Sequence, residues 1–183
     1  EAYEANGTPS AVLVSSDGTI ATWLAAGTEW IESLVADALG GLGRAPGLPV
    51  GSDLPATQVQ LLDGDEVELG DVVERETVLL FWNPGCGYCR SIHEAVREWE
   101  GSALEAGSRT LVVVSSGTVE EIRAERFLSP VVLDPEWRLA SSLGADGTPM
   151  ALVIGVDQRI ASPLVTGGDA ILDLLHAEVP AAV

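Results

Sequence analysis

Two cysteines occur in the chain, Cys86 and Cys89, with Gly87 and Tyr88 between them. Two thiols at this spacing suit reversible disulfide chemistry where a strand gives way to a helix. The run Thr77 to Trp82 is almost wholly apolar and reads as a buried central strand, which Pro84-Gly85 ends. A helix that begins near Cys86 and reaches about Ala103 puts this cysteine at a helix N-terminus. There, unpaired backbone N–H groups and the helix dipole stabilise a thiolate and lower its pKa. The thiolate is the attacking species, so Cys86 is the expected nucleophile. Cys89 shares a helix face with Ile92, Val96 and Trp99, the apolar stripe that must meet a sheet. A thiol buried there attacks external disulfides poorly but can resolve a mixed disulfide from within.

Other readings of the pair are weaker. A disulfide framework carries more pairs at wider spacing, and a four-residue loop stabilises a fold little. A structural zinc site needs four ligands. The chain has two cysteines and two histidines, and His176 lies far off on the last helix. Cys86, Cys89 and His93 together could hold Cu(I), which favours soft thiolates. Nothing in the pattern requires a cofactor. His93 stands one turn beyond Cys89 and about 40° around the helix. It reads either as a proton relay to Cys89 or as a boundary histidine. Tyr88 is either a packing aromatic or a substrate-facing one.

The elements that position these residues follow from composition and pattern. The 183 residues are 46% hydrophobic and 20% charged, as in an ordered domain with something added. Nine cations, all arginine, against 28 acids leave a net charge of −19, which argues against nucleic acid or an anionic membrane surface as partner. No apolar run approaches the ~18 residues of a membrane helix. Glu1 begins the chain without a leader-like stretch, as expected of a piece of a longer protein.

Residues 7–39 and 147–179 align without a gap. They share Gly-Thr-Pro, a turn aspartate (Asp17, Asp157), an Ile-Ala pair and later apolar positions. Each reads as a β-hairpin followed by an amphipathic helix, so the unit is repeated. A Gly- and Pro-rich linker covers Gly40 to Pro55. A hairpin follows, with Val59 and Leu61 out, Asp63-Gly64 turning, and Val67 and Leu69 back. Arg109 to Ser115 is a second buried strand. Thr118 with Glu121 predicts a capping box and a helix to about Leu128. Val131 to Leu133 is a short strand, Asp134-Pro135 is expected to open the next helix, and Gly144 to close it. Strands alternating with helices before a closing hairpin and helix imply an α/β fold with a mixed sheet.

These residues resemble a known family. The run Phe81-Trp82-Asn83-Pro84-Gly85-Cys86-Gly87-Tyr88-Cys89-Arg90, with Gly147-Thr148-Pro149 much later, is similar to the thioredoxin superfamily. The hairpin before the central strand and the helix after Asp134-Pro135 resemble its TlpA/ResA-like redoxin branch, over about residues 49 to 183. The Gly-Tyr and Thr-Pro pairs are also similar to those of the DsbC disulfide isomerases. The resemblance implies a thioredoxin-like fold, with a central mixed β-sheet flanked by helices, over residues 46–183. Residues 1–45 then resemble the second half of another such domain, a hairpin and helix lacking the CxxC half. It also implies a cis Thr148–Pro149 bond packed on the disulfide, and substrate contact at Gly87, Tyr88, Thr148 and Pro149.

The implied activity is thiol–disulfide exchange with protein substrates through Cys86 and Cys89, mainly as a reductase outside the cytoplasm, served by a membrane or soluble redox partner. A non-catalytic binding module or Cu(I) carrier is the rival reading. A peroxiredoxin is disfavoured, because Asn83-Pro84-Gly85 and a CxxC stand where that chemistry wants a threonine and one peroxidatic cysteine. Two acids of the family are missing. Leu80 stands where thioredoxins bury a carboxylate, and Ile92 stands where ResA-like proteins carry a glutamate.

Overall fold

The apolar runs at Thr77–Trp82 and Thr110–Ser115 combine β-branched, leucine and aromatic side chains, and both form buried strands. They lie at the centre of a computed structural model that describes residues 9–14, 22, 25–28, 30, 31, 34, 35, 47–73, 75–106 and 109–177. The chain divides into two compact units, Glu1–Ala45 and Pro46–Val183.

In the first unit β1 (Ser10–Ala11) pairs antiparallel with β2 (Ala25–Ala26). The second unit runs β3 (Gln58–Leu61), β4 (Glu66–Glu68), α1 (Leu69–Val72), β5 (Thr77–Trp82), α2 (Gly87–Ala106), β6 (Thr110–Ser115) and α3 (Val119–Glu125). It continues with β7 (Val131–Leu133), α4 (Arg138–Ser142), β8 (Met150–Ile154), β9 (Val165–Thr166) and α5 (Gly168–His176). Its seven-stranded sheet has the order β4-β3-β7-β6-β5-β8-β9. β5, β6 and β7 are parallel, joined through α2 and α3 as parallel neighbours require, and the outer pairings are antiparallel. This is the mixed sheet flanked by helices that the pattern implied.

β5 is buried on both faces, which is why its sequence does not alternate. Leu79 and Phe81 join Val112, Val114, Leu152 and Leu143 in the main core. Val78, Leu80 and Trp82 take the opposite face by strand alternation. There the Trp82 ring lies 5.9 Å from that of His93 on α2. Gly168, at the start of α5, packs so closely on α2 that a Cβ there would sit 2.6 Å from Ile92 Cγ2.

Three expectations shift. β4 ends at Glu68, and Leu69 turns into α1 with its N–H on the Thr57 carbonyl at 2.9 Å. The Thr118–Glu121 capping box forms, but α3 stops at Glu125 because Arg126 adopts a left-handed conformation, φ 57°. Asp134-Pro135 does not open a helix directly. Trp137, φ 56°, turns the chain first, and α4 starts at Arg138. The Asp134 carboxylate then reaches the N–H groups of Arg138 (2.8 Å), Leu139 (3.3 Å) and Ala140 (2.9 Å). A buried carboxylate that caps three amides needs those extra residues of turn to stand beneath the helix.

The two hairpin segments, each within its own unit, repeat the same backbone pairing. In the first unit Ser10 pairs with Ala26 and Ala11 with Ala25; in the second, Met150 pairs with Thr166 and Ala151 with Val165. Gly27 N–H meets the Pro9 carbonyl at 2.8 Å, and Gly167 N–H meets that of Pro149 at 3.2 Å. Both glycines have positive φ, 97° and 90°. The turn at Asp17 and linker residues 40–46 lie outside the described residues.

Candidate active site

β5 delivers the chain to Asn83-Pro84-Gly85, and the turn is built by Asn83. Its Oδ1 accepts the Gly85 N–H at 2.7 Å, an Asx turn, and its carbonyl accepts the Cys86 N–H at 2.9 Å. Cys86 therefore stands immediately before α2, whose first bond runs from Arg90 N–H to the Cys86 carbonyl at 3.2 Å. The Cys86 sulfur faces the N–H groups of Tyr88 and Cys89, as a capping side chain does. Both cysteines are free thiols. Cys86 is 8% exposed and Cys89 is fully buried, on the stripe with Ile92 and Val96.

These positions drive the two thiols apart. The Cys89 thiol donates to the Cys86 sulfur and is the largest influence holding Cys86 down to about 6, from an ordinary value of 9.0. Burial opposes it, while the N–H groups of Cys89 and Tyr88 and the Thr148 hydroxyl assist. Cys89 is pushed far up, first by burial and then by its own donated bond and the negative charge on Cys86. The buried residues Leu80 and Ile92 supply no carboxylate that could accept the Cys89 proton.

The start of β8 closes the site from the other side. The Thr148–Pro149 peptide bond is cis. In the protonated state Cys86 Sγ–H donates to the Thr148 carbonyl at 3.2 Å. Thr148 Oγ1 is buried beside the two sulfurs without a closer partner, so its hydroxyl is free to donate to Cys86 once that sulfur ionises. Gly87 and Tyr88 are exposed between the cysteines, and burial followed by the charge on Cys86 raises the Tyr88 phenol.

His93 is tied to the end of α3. Its Nε2 lies 2.9 Å from the Glu125 carbonyl and 3.1 Å from Glu125 Oε2. Its ring sits 5.5 Å from Phe127, edge to face. With that nitrogen on Glu125, Cys86, Cys89 and His93 do not form a three-ligand metal set; among the described residues no such set occurs.

The Redoxin family model matches residues 49–163. The chain belongs to the redoxin family. Its fold recurs in solved structures. The thioredoxin domain of a thiol-disulfide oxidoreductase from Bacteroides vulgatus is 20% identical with a TM-score of 0.56, covering 70% of this chain and 99% of that one. A thiol:disulfide interchange protein from Bacteroides sp. is 22% identical with a TM-score of 0.57, covering 70% and 88%. MTB dsbF, solved in mixed oxidized and reduced forms, is 18% identical with a TM-score of 0.55, covering 67% and 96%. At these identities the likeness shows the thioredoxin-like fold. No curated protein sequence matches the chain.

In this redoxin the pattern of residue types pointed to Cys86 and Cys89 and the family resemblance to Thr148 and Pro149, and the fold brings Cys86 and Thr148 into contact. It did not point to Asn83 or Ser116 as part of the site. The signal for the former was present, since Asn before Pro-Gly is a side-chain-supported turn. Ser116 carries no local signal at all.

Proposed function

We propose that this redoxin is a thiol–disulfide oxidoreductase of protein substrates, acting mainly as a reductase outside the cytoplasm. The observation that carries the reading is the split between a thiolate-stabilising position at Cys86 and a buried, proton-retaining Cys89. The Cys86 thiolate attacks one sulfur of a substrate disulfide. A Cys86–substrate bond forms, the substrate S–S bond breaks, and the departing sulfur takes a proton from solvent. Cys89 then loses its proton and attacks Cys86 Sγ, releasing the second substrate sulfur and leaving a Cys86–Cys89 disulfide. Two electrons pass to the substrate, and a dithiol partner protein, soluble or in a membrane, returns them. A nucleophile near 6 stands closer to the ~7 of thioredoxin than to the ~3.5 of the oxidant DsbA, which supports the reducing direction. Gly87, Tyr88, Thr148 and Pro149 form the substrate-facing rim in this reading, and His93 is the candidate to pass the Cys89 proton outward. Residues 1–45 are the closing half of a second thioredoxin-like unit, a reading supported by the shared register of the two hairpins.

Cysteine variants test the mechanism. Cys89→Ser should accumulate a mixed disulfide through position 86 and stall, whereas Cys86→Ser should trap nothing and react slowly with iodoacetamide. Faster alkylation of Cys89 than of Cys86 would overturn the assignment. A Cys86–Cys89 potential near ~ −270 mV supports a reductase, and one near ~ −120 mV an oxidase. Stoichiometric Cu(I) retention without insulin reduction would favour the binding-module reading.

A further inference from the structure

Three of the four polar groups of Asn83 converge on the redox turn. Its carbonyl holds the Cys86 N–H, and its backbone N–H faces the Cys89 sulfur. Gly85 N–H can only donate, so the side-chain oxygen must be the atom at 2.7 Å from it, and this settles the amide's orientation. The nitrogen then faces Ser116, with Nδ2 donating to Ser116 Oγ at 3.0 Å. Ser116 opens the loop after β6, whose last residue, Ser115, lies in register with Trp82. Two further contacts join these loops. Ser116 N–H donates to the Trp82 carbonyl at 3.3 Å, and a Cβ on Gly117 would lie 2.6 Å from Pro84 Cδ.

Resting on the oxidoreductase reading above, we propose that Asn83 is a positioning residue of the redox site, bracketing the Cys86 turn to the Ser116 loop and setting where the Cys86 sulfur stands over the first turn of α2. The residue type follows from the two tasks. An amide presents an acceptor to Gly85 and a donor to Ser116 at once. Aspartate loses the donor and sets a negative charge beside a thiolate, and alanine loses both. Serine at 83 keeps an acceptor for the amide two residues on but is too short to reach Ser116. Without the bracket, Cys86 drifts from the N–H groups of Tyr88 and Cys89 that hold its ionised form.

The test uses the reduced full chain and the variants Asn83→Ala, Asn83→Ser and Ser116→Ala. Three quantities are read: thiolate absorbance at 240 nm against pH, insulin reduction against pH, and thermal stability. Asn83→Ala should raise the Cys86 midpoint by about one pH unit, the size of one weakened thiolate contact. Exchange should then fall about twofold at pH 6 and rise about two- to threefold at pH 8, as the smaller thiolate fraction and the greater nucleophilicity of a more basic thiolate together dictate. Asn83→Ser and Ser116→Ala should give smaller and similar shifts, because each breaks the outer contact and spares the inner one. A wild-type midpoint in both Asn83→Ala and Ser116→Ala, with lowered stability and a rate reduced equally at every pH, means a merely structural role and overturns the proposal. If Asn83→Ala fails to fold, Ser116→Ala still decides. A wild-type chain that exchanges no disulfides defeats the oxidoreductase reading instead, and the titration still reads Asn83.

Discussion

Cys89 does more to Cys86 than wait behind it, since its thiol proton is the largest influence keeping Cys86 near 6. Replacing it by alanine removes that donor with little change in volume. A hydrogen bond to a charged group contributes roughly 1.5–3 kcal/mol, and one pK unit corresponds to about 1.4 kcal/mol, so the Cys86 midpoint should rise by about one to two units. Two consequences then oppose each other. Well below pH 6 the thiolate fraction falls by about thirtyfold for a rise of about 1.5 units, while the more basic thiolate becomes about fivefold more nucleophilic at a Brønsted slope of ~0.45. The net result at acidic pH is a variant about sixfold slower toward a small disulfide. Near pH 9 both proteins are ionised, and the variant is the faster by about fivefold. The two pH–rate profiles therefore cross near neutrality, where a single-pH assay would see nothing. Stopped-flow reaction with a small aromatic disulfide from pH 4.5 to 9.5, beside the 240 nm titration, resolves the crossing. Cys89→Ser keeps an O–H donor and should stay close to the wild-type curve. A Cys89→Ala midpoint still near 6 would refute the donated proton as the main cause. A wild-type Cys86 that titrates near 9 would refute the whole electrostatic account of the turn.

Further outcomes follow from the same structure. Between about pH 6 and 9 the folded Cys86 has lost a proton that the unfolded thiol keeps, so urea stability of the reduced protein should rise with pH across that window and be lost on falling through 6. A displacement of about three pK units bounds that gain at about 4 kcal/mol, an upper limit that partial solvent screening lowers, and Cys86→Ser should abolish it. Asp134→Ala strips three amides of α4 of their acceptor and should cost about 2–4 kcal/mol in urea melts, whereas a loss under about 0.5 kcal/mol would show that water replaces the carboxylate. Gly117→Ala forces a Cβ to 2.6 Å from the rigid Pro84 ring and should cost about 1–3 kcal/mol; Gly87→Ala, with nothing within 4 Å, is the tolerated control. Equal melting of these two variants would remove the steric argument.

Near-neighbour chemistry was legible in the sequence. The unbroken apolar run of β5 had to be a doubly buried strand, Thr118 and Glu121 had to cap a helix, and two thiols one helical turn apart had to lie side by side, one at the helix N-terminus and one on the apolar stripe. Each of these depends on residues within a few positions of one another, where spacing alone sets which groups meet. The Thr-Pro pair was singled out only through family resemblance. Its contact with Cys86 is made 62 residues away, where β8 lies antiparallel to β5. Asn83 to Ser116, His93 to Glu125 and the reach of Asp134 under α4 were likewise settled by tertiary structure. A short polar side chain has several partners of equal chemistry within reach, and nothing in its own neighbourhood ranks them. The register of the parallel pair β5–β6 does, because it sets the two loops side by side and leaves Ser116 as the hydroxyl that the Asn83 amide meets.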